Sequence, residues 1–140
     1  MSEIAALTAA CLGGIVPTFV FVVLAYVMDR YEREPLWLAS LVFLWGAIPA
    51  IILSLLIELG ADIPLSVALE GSVLLDLVSG AVVAPIVEEV AKAIPLFGIF
   101  YLFRKEFDGL MDGLLYGSLV GFGFSMTENI LYFIGAYSEG

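Results

Sequence analysis

Residues 36–57 read LWLASLVFLWGAIPAIILSLLI, a run without a single charged side chain. As a helix rising 1.5 Å per residue it extends about 33 Å, enough to cross a hydrocarbon core of about 30 Å. Backbone amides in lipid find no water, so a run of this length has to be helical. Working outward, Ile4 to Met28 is equally free of charge. Two further apolar regions, from about Ser72 to Phe103 and from Leu114 to Tyr137, each carry ionised residues inside them. Across the 140 residues, 62% are hydrophobic and 14% charged, and the mean hydropathy is +1.10, outside the soluble globular range. The expectation is an all-α polytopic transmembrane helical bundle of about four spanning helices, one transmembrane domain over residues 1–140.

The first run is too long for a signal-peptide core and no basic residue precedes it, so it is expected to be retained. Pro17 and Pro49 predict kinks in the first two spans. Residues 72–103 as one straight helix would reach about 48 Å. A break at Gly80 and Pro85 is therefore expected, leaving a membrane helix from about Ala84 to Phe103 and an outer segment carrying Glu70 and Asp76.

Net charge is -10, and the placement of the few cations is informative. Arg30 and Arg33 lie between the first and second spans, Arg104 and Lys105 between the third and fourth, and Lys92 within the third. Two such loops lie on one side of a four-span bundle. The excess of basic residues makes that side cytoplasmic, with the N-terminus outside and the stretches 29–35 and 104–112 inside. The segment from Glu58 to Glu70, without a basic residue, is expected to be the outer loop. Cys11 is the only cysteine and there is no histidine. That excludes a disulfide framework and, within these residues, imidazole-assisted nucleophiles and the commonest zinc ligand.

The third region contains PIVEEVAKAIP at residues 85–95. Between Val83 and Phe103 the apolar side chains favour insertion by about 5 kcal/mol, while three central charges oppose it by about 9 kcal/mol. Glu88, Glu89 and Lys92 are therefore expected to face protein or a wet cavity. Lys92 is four residues after Glu88 and three after Glu89, so all three share a helical face, and one cation cannot neutralise two acids. The spare carboxylate suits a general base or a metal ligand. In the fourth span Gly113, Gly117 and Gly121 recur every fourth residue, a pattern that lets a neighbouring helix come close. Glu128 falls on the same stripe. Glu88 lies sixteen residues before Arg104 and Glu128 sixteen after Asp112, so in antiparallel helices both sit about 24 Å from the cytoplasmic boundary.

These stretches carry a resemblance. EEVAK at Glu88–Lys92, FDGLMDGLLYG at Phe107–Gly117, GFGFSMTENILY at Gly121–Tyr132 and DRYEREP at Asp29–Pro35 together resemble the PrsW family of intramembrane proteases, relatives of the CAAX prenyl endopeptidases. The resemblance implies a multi-span metalloprotease engaged in regulated intramembrane proteolysis, such as the shedding of membrane-bound anti-sigma factors. It carries Glu88 and Glu89 onto the family's glutamate pair, Lys92 onto its lysine, and Glu128 with Asn129 onto the Glu-Asn of the glycine-rich helix; Tyr132 also fits. The family pattern continues into histidine-bearing helices, which predicts that these residues are the N-terminal part of a longer membrane protein.

The expected chemistry is peptide hydrolysis in the membrane. Glu88 or Glu89 activates a water, directly or on a metal, with Lys92, Glu128 and Asn129 completing the catalytic set and Glu88, Glu89 and Glu128 the candidate metal ligands. Carboxylates alone favour magnesium, calcium or manganese, whereas zinc would need a histidine beyond residue 140. Serine chemistry at Ser118 or Ser125 lacks a histidine, and Asp108 with Asp112 read as solvated boundary residues rather than an aspartyl dyad. Expected partners are the lipid bilayer of the plasma membrane and a membrane-anchored protein substrate, with no nucleic acid. Two other classes stay open: a non-catalytic scaffold in which the same acids form a buried polar lock, and an acid-lined cation or proton pathway.

Overall fold

A computed structural model describes residues 3–28, 34–69 and 73–139. Six helices follow in order: α1 (Glu3–Met28), α2 (Leu36–Trp45), α3 (Ile51–Leu69), α4 (Val73–Val78), α5 (Ala84–Leu102) and α6 (Leu110–Glu139). No strand occurs among the described residues. Three of the helical runs are long and apolar enough to cross a membrane: Ile4–Val27, Leu36–Ala61 and Leu110–Tyr137. The chain is thus a multi-pass, all-α membrane bundle. The other long helix, α5, has the 19 residues a crossing requires and carries the three charges of the EEVAK stretch. Arg30, Arg33 and Glu70 lie outside the described residues.

Two joints depart from the sequence expectation. Gly46–Ala50 forms a π-helical turn between α2 and α3, and Ser79–Val83 forms another between α4 and α5. A proline lacks the N–H its turn requires, and its ring crowds the carbonyl four residues earlier. Widening the turn by one residue makes room. Pro49 sits inside the first π turn and Pro85 at the start of the helix after the second. The break expected at Gly80 and Pro85 is therefore absent: the backbone stays right-handed helical through Val83 and Ala84. The expected outer loop from Glu58 is likewise helix, since α3 runs on to Leu69.

α6 is the central element, packed against α1 on one side and against α2 and its π turn on another; α5 packs between α3 and α6. Two glycines make the α2–α6 contact possible. A Cβ on Gly46 would strike the Val120 carbonyl, and one on Gly123 would strike the Phe43 carbonyl. The backbones touch there because neither residue has a side chain. Leu38, Val42, Ile99, Tyr116, Leu119 and Val120 fill the space beside this contact. Most other large apolar side chains, Phe19, Leu56 and Phe97 among them, point outward, as a lipid-facing surface requires.

The Tyr116 hydroxyl donates to Glu34 at 2.6 Å, and the rings of Trp37 and Phe103 meet edge to face at 5.3 Å. These contacts bring the start of α2, the end of α5 and the start of α6 to one end of the bundle. There Asp112 is not solvated, contrary to expectation: it is 6% exposed and accepts the backbone N–H of Asp108 at 2.9 Å and of Gly109 at 2.7 Å. An acid in the first turn of α6 reaches back to donors the helix itself leaves without partners.

Candidate active site

The acid-bearing turn of α5 is built around Lys92. Its ammonium is 3.3 Å from Glu88 Oε2 and 2.9 Å from Glu89 Oε1, and lies 4.1 Å from the centroid of the Phe124 ring of α6. Helical spacing alone produces the two ion pairs; the ring contact requires α6 to be where it is. The two glutamates differ in surroundings. The Glu88 side chain is 25% exposed and that of Glu89 74%.

They also face different spaces. Glu88 lines a cavity of about 210 Å³ together with Ser54 and Glu58 of α3 and Phe124, Glu128 and Tyr132 of α6. Glu89 and Lys92 line a second cavity of about 410 Å³ against Gly117, Ser118, Gly121 and Ser125. Glu88 and Glu128 line the same cavity. Glu89 does not join them, and Asn129 lies on an exposed side of α6, lining neither cavity. The glycine stripe faces α5 but is not a close contact: a Cβ at Gly121 would meet nothing within 4 Å, and one at Gly117 only the tip of Leu96. The close approach belongs to Gly123, which a period of four from Gly113 does not reach.

Glu58 is the residue that sequence reasoning missed. It ends the charge-free run and so reads as a loop boundary, yet it sits inside α3, with Oε1 shielded from solvent, one turn past buried Ser54. Hydropathy gave no signal for it, because the helix continues for eleven residues beyond the charge at which the apolar run stops. Tyr132, one turn after Glu128, lines the same cavity. A larger cavity of about 720 Å³ between α1, α2 and α6 is almost wholly apolar; Glu34 is the acid that lines it, and Glu58, Glu88, Glu89 and Glu128 do not.

The junction is held by two side-chain bonds to backbone carbonyls. Trp45 Nε1 donates to the Ala91 carbonyl of α5 at 3.1 Å, and the Thr127 hydroxyl of α6 donates to the Ala47 carbonyl in the π turn at 2.7 Å. Glu58, Glu88 and Glu128 thereby reach one space from three helices, with carboxylate oxygens of the kind that suit magnesium, calcium or manganese. Among the described residues, however, no three His, Cys, Asp or Glu side chains lie close enough together to hold a metal ion. As arranged, these residues do not fit a metal by themselves.

Comparison with known proteins gives a consistent result. Residues 34–140 match the family described as "PrsW family intramembrane metalloprotease". The chain is 31% identical over 121 residues to Protease PrsW of Geobacillus kaustophilus, covering 86% of this chain and 50% of that protein. It is 38% identical over 104 residues to Protease PrsW of Clostridioides difficile, covering 74% of this chain and 42% of that protein. The chain thus spans about half the length of the curated relatives it matches, and no solved structure matches it.

Proposed function

The chain belongs to the PrsW family of intramembrane metalloproteases, and from that premise we propose that it hydrolyses a peptide bond of a membrane-anchored protein, of the anti-sigma-factor type, within the bilayer. The observation that carries this reading is the cavity lined by Glu88 of α5, Glu128 of α6 and Glu58 of α3. A protease working below the membrane surface needs water, a base and a donor in a space closed to lipid.

Glu88 is the better placed of the two adjacent acids to act as the base. Its carboxylate borders the cavity while Lys92 holds its other side. It takes a proton from a water as that water attacks the substrate carbonyl, and returns it to the departing amine. Glu128 borders the same space, and the Tyr132 hydroxyl beside it donates to the carbonyl oxygen as negative charge develops there. Glu89 pairs with Lys92 from the exposed side, and Asn129 takes no direct part. No step above passes through a metal ion, which the described residues do not hold by themselves. The protein sits in the plasma membrane with Arg104 and Lys105 in the cytoplasm, which puts the N-terminus of α1 outside and the acid cavity toward the outer leaflet.

The test uses the full-length protein with a single-span substrate in proteoliposomes. Glu88→Gln keeps the shape and removes the base, so cleavage is expected to fall at least about 100-fold; Glu89→Gln is expected to lose about tenfold, through Lys92. Undiminished cleavage by Glu88→Gln overturns the assignment. Ion flux through the same vesicles without any cleavage overturns the protease reading altogether.

A further inference from the structure

Pro95 lies inside α5 and is buried. It stands four residues after Ala91, so the Ala91 carbonyl lacks the N–H that an uninterrupted helix would bring to it. Water does not replace such a donor within a bilayer, and Ala91 is only 1% exposed. The donor comes from another helix instead: the Trp45 indole N–H, 3.1 Å away. Indole donates and does not accept, so this bond has one polarity and fixes the ring.

The position of that bond matters. Ala91 precedes Lys92 and follows Glu88 by three residues, so the carbonyl belongs to the turn that carries the acids. On the α6 side the same turn is held by Lys92 over Phe124, and Phe124 lines the cavity between Glu88 and Glu128. Trp45 grips the turn from the α2 side, at the edge of the π turn that Thr127 secures to α6.

We propose that Trp45 is a positioning residue: its indole N–H replaces the backbone donor that Pro95 removes, and so sets the height and rotation of the Glu88–Lys92 turn against Glu128. The catalytic consequence rests on the protease reading above; the replacement of one donor by another does not.

The experiment is a double-mutant cycle on the full-length protein in micelles, with thermal unfolding and steady-state cleavage measured on each variant. Trp45→Phe keeps an aromatic ring and deletes the donor. It is expected to lower the thermal midpoint by about 3–5 °C and kcat by about tenfold, with KM within about twofold of wild type. Pro95→Ala restores a backbone N–H at residue 95 and is expected to behave as wild type, because a carbonyl accepts two hydrogen bonds. The double variant is expected to recover most of both losses. A double variant as impaired as Trp45→Phe overturns the proposal, since the indole would then act by packing alone. A raised KM at constant kcat overturns the positioning role. Should wild type cleave no substrate, the protease reading fails, and the thermal cycle still decides: recovery upholds the donor replacement and simple additivity refutes it.

Discussion

Lys92 holds two carboxylates and an aromatic ring at once, and its side chain is 19% exposed. Removing its charge leaves Glu88 beside Glu58 and Glu128 with its cation gone, an arrangement costlier than the intact pair is stabilising. Lys92→Met is therefore expected to lose about 2–4 kcal/mol of stability, read as a lower unfolding midpoint in detergent. The further change Glu88→Gln in the Lys92→Met background should recover part of that loss, because the stranded charge goes too. A Lys92→Met variant as stable as wild type would show that the ion pairs are solvated. Glu58→Gln removes one of three acids bordering the cavity and is expected to lower kcat/KM by about tenfold, measured with the full-length enzyme; an unchanged value would remove Glu58 from the site.

At the scale of helices, the contact between α2 and α6 depends on two missing side chains. Gly123→Ala puts a methyl group against the Phe43 carbonyl, and since backbone cannot yield as a side-chain tip can, the helices must separate, at about 1–3 kcal/mol. Gly121→Ala enters open space and is expected to leave the unfolding midpoint within about 1 °C of wild type. The reverse order of these two effects would mean that α5 closes on the glycine stripe. The contrast also shows what the sequence carries. Charge-free runs mark α1 and the α2–α3 span because exclusion of charge from lipid acts at every residue. That Glu88 and Glu128 border one cavity agrees with helical spacing, which at 1.5 Å per residue gives both the same offset from the α5–α6 connection. The π turns and the course of α3 were not legible. Hydropathy stops at the first charge, Glu58, whereas the helix stops only where its backbone can find other partners. Rotation about a helix is equally hidden, so Gly123 was passed over for a stripe with a tidier period.

For the molecule as a whole, the family match begins at residue 34, whereas α1, before it, packs along α6. The helix outside the matched region thus shields one side of the helix that carries Glu128. Orientation is testable directly. In a Cys11→Ser background, a cysteine replacing Lys105 is expected to react with a membrane-impermeant maleimide only after the cytoplasmic face is opened. Labelling in intact cells would invert the topology.

Lys92 borders the cavity that Glu89 lines and Phe124 the one that Glu88 lines, so their contact lies where the two spaces adjoin. A water-soluble carbodiimide would therefore modify Glu89, whose side chain is 74% exposed, faster than Glu88, at 25%. Peptide mapping of the labelled protein would then report two rates for two side chains one peptide bond apart.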